Sequence, residues 1–308
     1  MSANTKKKIN HQIFAVVGPA TSGKSILAGN YLLQGMLDQE EDKGHSLFIH
    51  LADQCPTKDP VEYYFKPADN HGDNKSSESF KIEGGIEENK WDEWENKGKK
   101  GIPAYLDPIY KGKYKVKAHE FKNGRLYISL AIQNGFILPE EIFEIIMLVF
   151  EWARNETEIA LIRRVAVYDV NAIGHSYPLL RNSSADHEQF LANLVQFFRL
   201  KNVGLMLAAS RTGLPESEAI VDKVMSLADC VIQCAPMDVF GDRYITYTGP
   251  GIVKRELKGG RTGDDDIEPV PAVLREISYK DGDSEKSCYQ IDYEILDGLV
   301  GFSSGNIR

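Results

Sequence analysis

The chain has no Cys-x-x-Cys pair. Its four cysteines, Cys55, Cys230, Cys234 and Cys288, are widely separated and form no zinc framework with the seven scattered histidines. They read as reduced, mostly buried thiols. The polar, lysine-bearing N-terminus has no long apolar core behind it, so no secretory signal is expected. The most apolar helical stretch, about residues 141 to 153, is too short to cross a bilayer and contains Glu144 and Trp152. A surplus of positive charge is missing too: 36 Lys and Arg face 45 Asp and Glu, a formal net charge of −9, which argues against a general binder of phosphate backbones. The basic runs Lys6-Lys7-Lys8 and 111 to 117 read as solvated surface or as a local patch. These absences leave a soluble, cytoplasmic protein without a membrane segment. Its 308 residues suit one large α/β domain, or one domain with an insertion.

What is present is a phosphate-binding pattern near the start. Gly18, Pro19, Ala20, Thr21, Ser22, Gly23, Lys24 and Ser25 follow the spacing glycine, four free positions, Gly-Lys-Ser, with Ile26 directly behind. A triphosphate needs backbone N–H groups that bulky side chains do not obstruct, one cation and one hydroxyl. Lys24 supplies the cation for the β- and γ-phosphates, and the Ser25 hydroxyl supplies a ligand for Mg²⁺. Context supports the motif. Residues 13 to 17 form an apolar run suited to a strand buried on both faces. From Ile26 to Leu37 the apolar residues recur at helical spacing, so strand, loop and helix come in the order that aims a helix N-terminus at phosphate. Gly44 reads as the helix C-cap.

Further along, residues 46 to 51 read as a second strand ending at Ala52 and Asp53. Ligands of open α/β sheets lie beyond the carboxyl ends of strands, so Asp53 either polarises the water attacking the γ-phosphate or caps the next segment. His50 in the same strand reads as a packed core histidine. From about 55 to 117 the pattern dissolves, which implies an insertion with one short helix around 87 to 96. Trp91 and Trp94 share a face of that helix and are expected to dock on the domain or a neighbour. Strands are then expected at 124 to 130, 163 to 170, 203 to 211 and 228 to 234, with helices at 139 to 154, 187 to 200 and 216 to 227. Asp169 closes the strand of Val165, Ala166 and Val167 in the Walker B manner, as the carboxylate for Mg²⁺. Alternation of this kind implies right-handed crossovers and a mainly parallel sheet with helices on both faces. Beyond Pro236 the strand-like stretches 243 to 248, 272 to 280 and 287 to 296 extend its edge as antiparallel strands. Between them lies a basic segment, 254 to 261, read either as an exposed hairpin or as an arginine finger.

In this order and spacing the chain resembles the RecA/KaiC-like P-loop ATPases, and their KaiC-like branch more than the recombinases. The resemblance rests on residues 18 to 25, 47 to 53, 164 to 169, 202 to 207, 227 to 232 and 289 to 293. It implies a polar lead-in over 1–11 and a single RecA-like domain over 12–308, with the insertion at 55–117 and a β-rich extension at 240–308. It also implies ATP and Mg²⁺ as ligands, bound between subunits of a homo-oligomeric ring or filament, commonly a hexamer. Asp53 would then be the activating acid, and Lys258 and Arg261 the cations given by a neighbour. The chain departs from the pattern in having Ala52-Asp53 where a glutamate pair is usual, and Val170 where a serine often follows the Walker B acid.

The leading functional expectation is therefore an ATP-hydrolysing motor or switch that acts on a protein partner, since the acidic balance disfavours duplex DNA. A non-hydrolysing ATP-binding assembly module is the alternative motivated by Asp53. A recombinase- or helicase-like DNA-dependent ATPase is favoured by fold and disfavoured by charge. A small-molecule kinase fits worst, for want of a compact arginine-rich lid.

Overall fold

The computed structural model describes residues 12–37, 44–51, 82–86, 91, 94, 98–121, 123–132, 138–173, 184–237, 243–248, 270–281 and 284–291. Eleven strands form one sheet: β1 (Ile13–Gly18), β2 (His45–His50), β3 (Ile82–Ile86), β4 (Tyr114–Phe121), β5 (Leu126–Ile132), β6 (Ile162–Tyr168), β7 (Gly204–Ser210), β8 (Cys230–Met237), β9 (Arg243–Thr248), β10 (Val270–Asp281) and β11 (Ser284–Ile291). Their spatial order is β11-β10-β9-β8-β1-β7-β6-β2-β5-β4-β3. The six central strands, from β8 to β5, run parallel, and the pairs on either side are antiparallel. This is a mainly parallel α/β sheet with antiparallel strands added at both margins.

Among the described residues five helices cover the sheet: α1 (Lys24–Leu37), α2 (Ile102–Tyr110), α3 (Pro139–Glu156), α4 (Ser184–Leu200) and α5 (Pro215–Leu227). The central strands are buried on both faces, and alternate residues enter two separate cores. Phe14, Val16, Phe48, Ala166 and Met206 pack with Leu27, Leu32 and Met36 of α1. Ala15, Val17, Leu47, Val165 and Leu205 pack with residues of α2, α3, α4 and α5. This two-sided burial explains why the strands read as continuous apolar runs rather than alternating ones. Among the described residues no helix is long and apolar enough to cross a membrane.

Two local expectations are corrected. Gly44 stands directly before β2 without a positive φ, so it is not a left-handed helix cap, and the residues between Leu37 and Gly44 lie outside the described residues. It is glycine because a Cβ there would run into the Arg163 side chain. The stretch from about 55 to 117, expected to carry one short helix and otherwise no periodicity, includes β3, α2 and the start of β4 among its described residues. Lys115 and Lys117 sit on the more open side of β4, while Tyr114, Val116 and Ala118 are buried. Its lysines are the polar half of a period-2 pattern.

Trp91 and Trp94 dock inward, on the third tryptophan of the chain. Their ring centroids lie 6.0 and 5.7 Å from that of Trp152 in α3, and the Trp152 indole N–H donates to Lys100 O at 2.8 Å. Tyr105 and Tyr110 of α2 donate to Glu156 and Glu144 of α3 at 2.8 and 2.5 Å. The aromatic cluster and these bonds fix α2 against α3. The other positions of the expected 87–96 helix lie outside the described residues.

Candidate nucleotide-binding site

The connection leaving β1 passes through α1 on one face of the sheet, while that leaving the neighbouring β7 passes through α5 on the other. Adjacent strands whose outgoing chains diverge in this way open a crevice at their carboxyl ends, the usual ligand position in such sheets. Register places Gly18 beside Ser210, and Tyr168 beside Ala208. The ends of β1, β7 and β6 thus stand side by side, and the three segments facing the crevice are the glycine loop, Ser210-Arg211 and Asp169. The Arg211 N–H donates to Gly18 O at 2.9 Å and ties the first two together.

The loop's shape follows from its residues. Thr21 and Gly23 adopt φ of 63° and 88°, which turns the chain back before α1 begins at Lys24. A β-branched residue in this region is strained by roughly 1–2 kcal/mol, and hydrogen bonds fix the turn: Ser22 Oγ donates to Pro19 O at 2.8 Å and Thr21 Oγ1 to Ala20 O at 2.6 Å. A side chain at Gly18 would collide with the Cys234 carbonyl and approach Ser22 Oγ to 2.8 Å, so β8 allows only glycine at the loop's entrance.

Lys24 is buried, and its Nζ donates to Pro19 O at 2.6 Å. Burial holds its pKa below the ordinary lysine value, while the nearby Asp169 carboxylate pulls it upward. Burial pushes the Cys234 thiol up to about 12, against the opposing influence of Lys24 and a hydrogen bond with Ser22, so the thiol is neutral at pH 7. Ser25 is half-buried at the start of α1, and Ile26 behind it is buried among the residues under the helix. The helix carries no acidic residue in its first turn. Its first N–H groups, which have no acceptor within the helix, and its positive dipole end remain for an anion.

Asp169 is held from two sides. Its Oδ1 accepts the Asn171 N–H at 3.0 Å, and its Oδ2 accepts the Ser210 hydroxyl. Asn171 and Ser217 carry no signal of their own in the sequence, because only the sheet's order brings them to Ser210. Among the described residues no group of three or more His, Cys, Asp or Glu side chains could form an all-protein metal cage. One serine hydroxyl and one carboxylate fit the way Mg²⁺ is commonly held, with phosphate oxygens and water completing its shell.

His50, at the end of β2, is buried, and its Nε2 has no hydrogen-bond partner. Burial lowers its pKa to about 3, so it is neutral at pH 7. The ring lies against Phe48 and presents an edge contact to Tyr168, the packed role expected for it. Of the other expected site residues, Asp53, Lys258 and Arg261 lie outside the described residues, as does Ala52. The chain that leads to Asp53 is placed: the Leu51 N–H donates to Tyr168 O at 2.7 Å, alongside the Walker B strand.

No protein-family description matches the chain, and no curated protein is similar to it. Among solved structures, one that resembles it is that of a KaiC-like protein from the hyperthermophilic archaeon Pyrococcus horikoshii. The likeness has a TM-score of 0.42 at 12% identity, over 86% of this chain and 85% of that one.

Proposed function

We propose that this chain binds ATP with Mg²⁺ and hydrolyses it as a motor or switch, assembling into a homo-oligomer and acting on a protein partner. The observation that carries the reading is the convergence of the buried Lys24 and the half-buried Asp169 beyond the ends of β1 and β6, in front of a helix whose first turn carries no acidic residue. The loop's backbone N–H groups and Lys24 bind the phosphates, and Ser25 and Asp169 hold the metal ion. Mg²⁺, when bound, offsets the charge that accumulates on the transferred phosphoryl group. Asp53, which follows β2 in sequence, orients the attacking water. Lys258 and Arg261 supply cations across the subunit boundary.

Steady-state ATP hydrolysis across a range of protein concentrations, for the wild type and Asp53→Ala, tests this reading. Turnover that rises faster than linearly with protein and collapses in the variant is expected of a site completed between subunits. ATP that is bound but never turned over, at any concentration, would replace hydrolysis with nucleotide-dependent assembly.

A further inference from the structure

The polar groups behind Asp169 form a chain of hydrogen bonds across three elements. Asn171 is buried at the end of β6. Its Oδ1 accepts the Ser210 N–H at 2.7 Å, and its Nδ2 donates to Ser217 Oγ at 3.1 Å. Ser217, buried in the first turn of α5, donates in turn to Ser210 O at 2.6 Å. Ser210 is therefore gripped at its backbone nitrogen by Asn171 and at its backbone oxygen by Ser217, while its hydroxyl rests on Asp169. The Asn171 N–H holds the other oxygen of the same carboxylate.

Each part of this arrangement has a physical purpose. A buried amide satisfied on both sides fixes its own rotamer and the groups it touches. A carboxylate that must meet a metal ion gains from being turned to the correct angle beforehand, and partners of metal ligands that do this are costly to remove.

We propose that Asn171 is a positioning residue for the metal site: with Ser217 as its anchor on α5, it sets the orientation of both Asp169 and Ser210. The inference rests on the reading of this site as a Mg²⁺–nucleotide site. It goes further by naming the side chains that make the site stiff, and it makes α5 the element that Mg²⁺ binding would strain or relax.

The test measures binding of a fluorescent ATP analogue, first in EDTA and then with increasing Mg²⁺, for the wild type, Asn171→Ala and Ser217→Ala, with a thermal melt of each. In EDTA the variants should bind as the wild type does, because the loop and Lys24 are untouched. The Mg²⁺ concentration giving half of the metal-dependent change should rise on the order of tenfold in Asn171→Ala, and less in Ser217→Ala. A merely structural role would lower the melting temperature and weaken binding equally with and without Mg²⁺, and that pattern overturns the inference. An unchanged Mg²⁺ requirement in a folded Asn171→Ala also overturns it. If Asn171→Ala does not fold, Ser217→Ala decides alone, by the presence or absence of the selective shift. A wild type that binds the analogue but whose variants keep its Mg²⁺ response sinks this inference only, whereas a wild type that binds no analogue sinks the site reading with it.

Discussion

The two ends of α1 solve opposite problems with the same kind of backbone. At its C-terminal end the helix carries no basic residue in its last turn, yet four side chains from elsewhere in the fold reach its carbonyls. Ser46 donates to Leu32 O at 2.9 Å, Arg164 to Tyr31 O at 2.9 Å, Arg125 to Gly35 O at 2.8 Å and Asn123 to Met36 O at 3.0 Å. Arg125 and Arg164 are both buried, and the Arg164 guanidinium lies 5.1 Å from the centroid of the Tyr31 ring. Two cations at the negative end of the helix dipole favour the folded state. At the N-terminal end the first turn carries no acidic residue, the preceding loop holds a strained Thr21, and a lysine is buried against its own loop. One end is completed by the protein, the other prepared for a ligand. Stability and function are thus divided along one helix about 20 Å long, by its 14 residues at about 1.5 Å each.

The contrast is broken most severely at the completed end. Arg164→Ala deletes a buried side chain and the hydrogen bond that it adds at Tyr31 O, so a loss of about 3 kcal/mol or more is expected in chemical denaturation. Any nucleotide affinity of the folded fraction should survive. Equal loss of both properties would mean that the two ends are not separable.

A smaller effect comes from His45, at the same edge of the sheet. Its Nδ1 accepts the Leu126 N–H at 2.9 Å, and its Nε2 lies 2.9 Å from Thr157 Oγ1. Burial, followed by the nearby Arg125 charge, lowers its pKa to about 4 against a weaker opposing hydrogen bond with Ile159. Because the folded value lies below the unfolded one of about 6.5, this stability is complete above pH 6.5 and is lost as pH falls toward 4. At pH 5 the loss is about 2 kcal/mol. Buried His50 adds an acid loss of its own, so the change between pH 7 and pH 5 in denaturation curves should be smaller in His45→Gln than in the wild type by about this amount. An identical pH dependence in the two would remove His45 from the account.

The smallest effect has an unusual sign. Gly35→Ala in an ordinary helix interior would stabilise by about 1 kcal/mol. Here the added Cβ would stand 2.5 Å from Arg164 Cδ and 2.6 Å from its Nε, so the buried guanidinium must shift and the variant should be less stable than the wild type. A melting temperature above that of the wild type would show that Arg164 can move without cost.

The open end was the more legible in sequence. Gly18 to Ser25 carry their chemistry in eight consecutive residues, and an apolar strand closed by Asp169 marks the partner strand without help from tertiary structure. The parallel strands were legible for a related reason, since burial on both faces leaves long apolar runs. The capped end left no such mark, because Ser46, Asn123, Arg125 and Arg164 come from segments far apart in sequence and meet α1 only once the sheet is formed. The Asn171, Ser210 and Ser217 bonds were hidden likewise. For β4 the alternation of Tyr114, Val116 and Ala118 was present but masked by the lysines between them, which drew the eye as a basic run.

The most direct measurement of the central claim compares Lys24→Ala with the wild type in two assays at once: equilibrium binding of ATP with Mg²⁺, and unfolding in the absence of nucleotide. Since the buried ammonium is held for a ligand and not for the fold, the variant should lose ATP affinity by about a hundredfold or more, as expected when a charge-assisted contact to phosphate is removed. Its ligand-free stability should stay unchanged or rise. A variant that binds ATP like the wild type, or one that unfolds before it can be tested while Arg164→Ala remains folded, would contradict the division of α1 into a ligand end and a stability end.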